Sequence, residues 1–268
     1  MAWRVLWCCF TLALIYTSVH GALQQHSDSD DRENHMKALS KLNNDFAFRL
    51  YKSIASGAQS QNVFFSPLSV SMALAALSLG AGGETHQQLL SGLGFNSSIF
   101  TSEEMHQAFL DLLQNFSQRA GVDLNVGTAL YVNDTFKPHP EFLENLKSFY
   151  LSEGFSVNFN KHKETAKQIN KYVSEKTQGK IKKFIKVLDS RTLMYLLSYI
   201  YFKGKWSIPL IPKILESRSF KKYAIFLPKL SLKTSYCLIN ILSRIGMKDM
   251  FTDKANFTGI TDEQIYIS

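Results

Sequence analysis

The stretch Asn62–Phe95, NVFFSPLSVSMALAALSLGAGGETHQQLLSGLGF, constrains the fold of this chain more than any other. Val63, Phe64 and Phe65 read as a short apolar strand. Ser66 is a favoured N-cap, and Pro67 fits the first helical position, where its missing N–H costs nothing. Val70, Met72, Ala73, Leu74, Ala75, Ala76, Leu77 and Leu79 leave no broad polar face, so the helix they form must be buried. It is far too short to cross a bilayer. Gly80, Gly82 and Gly83 end it, and Thr85–Leu93 reads as a second helix with Leu89, Leu90 and Leu93 on one side. This is scaffold. Ser66 is explained by capping and not as a nucleophile.

The first residues read as a targeting signal. Arg4 supplies a positive start, Val5–Tyr16 an apolar run, and Val19-His20-Gly21 acceptable residues before a cut between Gly21 and Ala22. Residues 1–21 are therefore expected to be removed, and the protein to be secreted into the extracellular space. Cys8 and Cys9 leave with the signal, so Cys237 alone remains and no internal disulfide is expected. Stability then rests on a large core. Cys237 itself reads as a half-buried structural thiol at a helix start. Four sequons, at Asn96, Asn115, Asn133 and Asn256, are candidate glycan acceptors and hence surface positions.

Residues 22–34 are polar and charged and read as a flexible tail. Leu39, Leu42, Phe46, Leu50 and Ile54 then mark one face of a first helix. Thr101 and Glu104 form a capping box for a helix that turns Met105, Phe109, Leu112 and Leu113 inward and carries Glu103, Glu104 and Asp111. Leu124, Val126, Thr128, Leu130 and Val132 alternate with residues expected to be exposed, as in a half-buried strand. Pro138 and Pro140 open another helix, with Phe142, Leu146 and Phe149 inward, and Phe155, Val157 and Phe159 suggest a short strand. Lys163–Thr177 is an amphipathic helix that Gly179 stops. The apolar run Leu193–Phe202 predicts a central strand buried on both faces. Past Trp206 the texture changes. Leu227–Leu232 reads as a strand, Leu238–Ile245 as a helix ended by Gly246, and Ile265–Ser268 as the start of a strand.

Several function classes are unsupported. There is no G-x-S-x-G, H-E-x-x-H or C-x-x-C pattern, and no pair of the seven histidines has metal-ligand spacing, so neither an enzyme, a metal site nor a cofactor site is expected. No segment is long and apolar enough to anchor the chain in a membrane. The net charge of +8 concentrates at Lys176, Lys180, Lys182, Lys183 and Lys186. That cluster could take a polyanion such as heparin, but no aromatic interleaving or nucleic-acid motif accompanies it, so a solvated loop is the favoured reading and nucleic acid is not expected.

In this order the elements resemble a serpin of the α1-antitrypsin-like group. The match is carried by Asn43–Tyr51 and by Asn62–Phe95 with Ser66 and Pro67. It continues through Asn170, Val173, Thr177, Gly179 and Ile181, and through Leu196–Trp206 ending in Phe202, Gly204 and Trp206. Its last part is Pro228–Ser231 followed by Leu242, Gly246, Met250-Phe251 and Phe257–Ile260. The resemblance implies an α+β fold, with helices packed on a large central β-sheet, and a secreted inhibitor of serine proteases that works by inserting a cleaved bait loop into that sheet. It also implies departures. Residues 207–227 form a divergent junction where the family has a much longer stretch, and Ser198 stands where the family usually has Asn. The family's reactive loop and final strands have no counterpart up to Ser268. The expectation is a partial serpin domain over 35–268, truncated and internally deleted, non-inhibitory and poorly stable. The alternative is a non-inhibitory binding or carrier protein. Heparin-binding serpins often use a basic helix at the position of Ser102–Asn115, which is acidic here.

Overall fold

The computed structural model describes residues 32–57, 62–95, 100–118, 122–204 and 234–268. The expected signal peptide with Gly21 and Ala22, the sequon at Asn96, Trp206, the expected junction 207–227 and the expected strand Leu227–Leu232 lie outside the described residues. Helix α1 covers residues 32–55, so it begins inside the stretch expected to be a tail. It is followed by α2 (Pro67–Ser78), α3 (Gly83–Leu93), α4 (Ser102–Ser117), β1 (Val122–Asn133), α5 (Pro140–Tyr150), β2 (Glu153–Val157), α6 (His162–Lys176), β3 (Met194–Gly204) and α7 (Ile239–Arg244). A single 3-10 turn, Asp249–Phe251, closes the series.

The described strands form one sheet in the order β2-β1-β3. β1 runs parallel to β2, with Tyr131 opposite Phe155, and antiparallel to β3, with Thr128 opposite Ser198. Two cores follow from this layering. Leu130 of β1 joins a large cluster with α1, α2, α3, α4, α5 and the C-terminal segment, centred on Phe46, Met72, Leu89, Phe109 and Phe257. Ala129 and Tyr131 point the other way, into a smaller cluster with Ile169 and Val173 of α6 and with Leu197 and Tyr199 of β3.

The two long strands exchange the roles expected of them. β1 was expected to alternate, yet Gly127–Tyr131 is buried without a break, because β1 is central and covered on both faces. β3 was expected to be buried on both faces, yet Leu197, Tyr199 and Tyr201 are buried while Met194, Leu196, Ser198 and Ile200 are only partly covered. Phe202 is 66% exposed. Among the described residues β3 pairs on one side only, and an apolar run does not distinguish a central strand from its neighbour.

Two short strand expectations are corrected. Val63–Phe65 is irregular and Phe64 is 57% exposed. Its N–H donates to the Tyr236 hydroxyl at 3.0 Å, and its carbonyl accepts from the Thr234 hydroxyl. Side chains therefore satisfy backbone groups that a ladder was expected to take. Ile265–Ser268 is likewise not a strand, and Ile267 N–H makes a single backbone bond to Met250.

The glycines between α2 and α3 do more than end a helix. Gly259 N–H donates to Gly80 O at 3.1 Å, and Gly82 N–H donates to Asn256 O at 3.0 Å. A Cβ built on Gly80 would lie 2.1 Å from Ile260 Cγ1, and one on Gly92 would lie 2.6 Å from Met247 Cγ. The C-terminal segment therefore seats on this corner only because side chains are missing from it. A methyl at Gly80 overpacks the seat, which typically costs about 1–3 kcal/mol. Gly80→Ala is expected to lower the thermal midpoint by several degrees. Gly57→Ala, whose Cβ has no neighbour nearer than 3.7 Å, should leave it within about a degree. Differential scanning fluorimetry of both variants checks this.

Candidate functional site

The candidate site is mechanical: the sheet, the helix beneath it and the helix above it. Beneath lies α2. Ser66 Oγ accepts from Ser69 N–H at 3.3 Å, and Pro67 starts the helix. Ser71 Oγ donates to Asn43 Oδ1 at 2.6 Å, tying α2 to α1. Ser78 Oγ donates within the helix to Ala75 O at 2.7 Å, so this buried hydroxyl needs no outside partner. The Oγ of Ser198, the departure on β3, is buried with no hydrogen-bond partner among the described residues.

Above the sheet lies α6, and three family-motif residues hold its end. Asn170 Oδ1 accepts from the N–H groups of Phe184 and Ile185 at 2.6 and 2.8 Å, while its Nδ2 donates to Ile185 O at 2.8 Å. One side chain thus replaces a ladder for the segment that follows the helix. Thr177 Oγ1 donates to Val173 O at 2.7 Å and accepts from Ile181 N–H at 3.2 Å. Gly179 does not take the position expected of it. Gln178 occupies the first left-handed place, with φ 49°, and Gly179 the next, with φ 75°. Gly179 N–H reaches back to Ser174 O at 2.7 Å and Gln178 N–H to Glu175 O at 3.2 Å, a Schellman closure. Glutamine is held there by its side chain, which donates to Asp123 Oδ2 at 2.8 Å and accepts from the Tyr201 hydroxyl at 3.0 Å. The helix end is thereby fastened to both long strands.

Between α6 and the sheet, Tyr131 stacks on Phe155 with centroids 4.9 Å apart, and Tyr172 meets the edges of Phe155 and Tyr199. Burial pushes the Tyr131 and Tyr172 hydroxyls well above the usual tyrosine range. Lys176 leaves the expected basic cluster. It pairs with Glu153 at 2.6 Å and sits 5.1 Å from the Tyr172 ring centroid. Lys182, Lys183 and Lys186 instead join Lys163, Lys167 and Lys171 along α6, a grouping visible in sequence only as lysines four apart on a predicted helix.

The remaining sequence-predicted residues are dispersed. Asn115 is exposed on α4. Asn133, expected at the surface, is 7% exposed, with its Nδ2 donating to Thr192 O at 3.3 Å and its Oδ1 accepting from Thr135 Oγ1 at 3.2 Å. Asn256 is half-buried against Gly82, and its Oδ1 accepts from Thr258 Oγ1 at 2.8 Å. Cys237, expected to be half-buried at a helix start, is an exposed free thiol ahead of α7. Gly204 ends β3 in an exposed position.

Sequence patterning gave no sign of the His106–Tyr150 pair. His106 of α4 and Tyr150 of α5 are both buried, with Nδ1 2.7 Å from the hydroxyl. Tyr150 O also accepts from Thr128 Oγ1 at 3.2 Å, so α4, α5 and β1 meet at one polar point.

Known proteins share this geometry. The family model described as "Serpin (serine protease inhibitor)" matches residues 41–223 and 209–268. The chain is a serpin. It is 32% identical to the mouse plasma serine protease inhibitor over 94% of this chain and 82% of that protein. It is also 32% identical to the bovine alpha-1-antiproteinase over 92% and 78%. The first of these alignments runs over 330 positions although this chain has 268 residues, so the relatives are longer, with internal positions that have no counterpart here. Cleaved kallistatin complexed with heparin superposes with a TM-score of 0.77 at 29% identity, covering 87% of this chain and 92% of that one. Reactive-loop-cleaved human thyroxine-binding globulin gives 0.73 at 25% identity, over 85% and 89%. The fold is the serpin fold with a partial sheet, and a serpin is not an enzyme.

Burial holds the His106 imidazole down to about 4, with the charge of His86 adding to the effect. An unfolded histidine protonates near pH 6.5. Acid therefore protonates the unfolded chain first and favours it. The contribution is intact above pH 6.5 and is lost progressively as pH falls to about 4, amounting to roughly 3 kcal/mol. Urea melts at pH 7.0 and 4.5 should show a smaller loss for His106→Gln than for the native chain.

Proposed function

We propose that this is a secreted serpin whose 268 residues do not by themselves trap a protease. The trapping mechanism implied by the family needs a bait loop and a sheet that takes it in as a new strand. Residues 1–268 carry the support for such a sheet, in α2 and α6, but no segment that resembles a hinge or reactive loop. The observation that carries the reading is that the alignment to a relative runs over 330 positions against 268 residues here, and we assign the missing positions to the short link between Trp206 and Pro228. The apolar run within Val5–Tyr16 behind Arg4 supports secretion, and no helix among the described residues is long and apolar enough to cross a membrane.

Incubated with trypsin, elastase or thrombin, the 268-residue chain should be cleaved without forming an SDS-resistant complex. Such a band with any of the three would overturn the reading. Expressed in mammalian cells, the protein should appear in the medium with a glycan on Asn115 and none on Asn133, whose amide is engaged inside the fold. On a gel, Asn115→Gln should then run faster and Asn133→Gln unchanged.

A carrier role is the second reading, favoured by the likeness to thyroxine-binding globulin, a serpin named for a small ligand. A polyanion partner is part of either reading. It is supported by the net charge of +8 and by kallistatin, a serpin seen with heparin.

A further inference from the structure

We infer that the outer face of α6, with the segment that follows it, is a binding groove for a linear sulfated polysaccharide. Lys163, Lys167 and Lys171 form one stripe of the helix, and Lys182, Lys183 and Lys186 line the same groove of about 780 Å³ from the following segment. All six are exposed. Glu175 is the single carboxylate among the lining residues, and it pairs with Lys171 at 3.8 Å. Among the described residues the other five lysines have no acidic partner within the 4.0 Å that defines an ion pair. Lysines four apart on a helix repel one another, and a second set from the adjoining segment adds to the repulsion. The fold holds this arrangement in place nonetheless. Asn170, on the groove floor, fixes the spacing between helix and segment through its three hydrogen bonds to Phe184 and Ile185. A mobile lysine tail would relax such repulsion, whereas this groove cannot, and a polyanion lying along it relieves it by releasing its counterions.

The choice of polyanion follows from what lines the groove. It has no aromatic residue on which a base would stack and no arginine fork for bidentate phosphate or base recognition. Compact ammonium groups in two rows suit many sulfates spaced along a chain. The site differs from the one that the family resemblance implies, because α4 carries Glu103 and Glu104 at that position. It also differs from the lysine cluster read from the sequence, since Lys176 is turned away to Glu153. The inference rests on the polyanion part of the proposed function.

The test is heparin binding by the full chain. The native protein is expected to be retained on immobilised heparin. Converting Lys163, Lys167 and Lys171 to Gln, or Lys182, Lys183 and Lys186 to Gln, should weaken binding at least tenfold. Either change should also reduce the slope of log affinity against log salt by roughly 2–3. A control with Lys41→Gln, Lys52→Gln and Lys147→Gln removes the same charge elsewhere and should bind like the native chain. Lysine acetylation of the native protein, with and without heparin, gives a second readout that needs no variant: the six groove lysines should be protected and Lys41 should not. Binding that survives both groove variants, or acetylation without protection there, overturns the groove and leaves the polyanion reading standing. Failure of the native chain to bind heparin overturns both. Equal competition by duplex DNA or by desulfated heparin overturns the assignment to a sulfated polysaccharide.

Discussion

The constraint on which this structure depends is the position of β1. It is hydrogen-bonded to β2 on one side and to β3 on the other, and Gly127–Tyr131 is buried on both faces. A strand so placed must pair its backbone groups, and its buried polar side chains need partners: Thr128 donates to Tyr150 O, while the Tyr131 hydroxyl is buried with no hydrogen-bond partner among the described residues. The two cores exist because alternate residues of this one strand feed them. Leu130 enters the large cluster under the helices, and Ala129 and Tyr131 enter the aromatic cluster under α6. Gly127 makes room for the Tyr199 ring across the pair, since a Cβ there would lie 2.6 Å from the hydroxyl.

Around that strand the fold is fastened by side chains that substitute for regular structure. Asn170 serves as a ladder for the segment after α6, Thr128 and His106 join α4 and α5 to the sheet through Tyr150, and Gln178 ties a helix end to Asp123 and Tyr201. Such devices add polar fastening to the apolar cluster that α6 buries against the sheet. That arrangement suits a family whose mechanism requires a sheet to open. It also explains how one helix can both cover the aromatic cluster and present a row of lysines to solvent: Ile169 and Val173 point down, and Lys163, Lys167 and Lys171 line the outer groove.

Helix caps and helix faces were legible because they are local. Ser66-Pro67 and the Thr101–Glu104 box lie where the pattern places them, the second with both reciprocal bonds formed. The inward face of α1, with Leu39, Phe46, Leu50 and Ile54, was equally clear. Strand rank was not legible, because covering depends on what packs above and below, and so β1 and β3 exchanged roles. The acceptor Asn133 and the thiol Cys237 were misplaced for the same reason: their burial is decided by Thr192, far along the chain, and by how the approach to α7 lies.

By itself the sequence determined the helices, their caps and the family, since each rests on residues within a few positions of one another or on an ordered series of such patches. Tertiary structure decided which strand is central, why glycine is required at 80 and 92, where His106 finds its partner, and which lysines share a groove. Each of those depends on atoms brought together from distant parts of the chain. Local periodicity records which way a side chain faces, and only packing settles what it meets there.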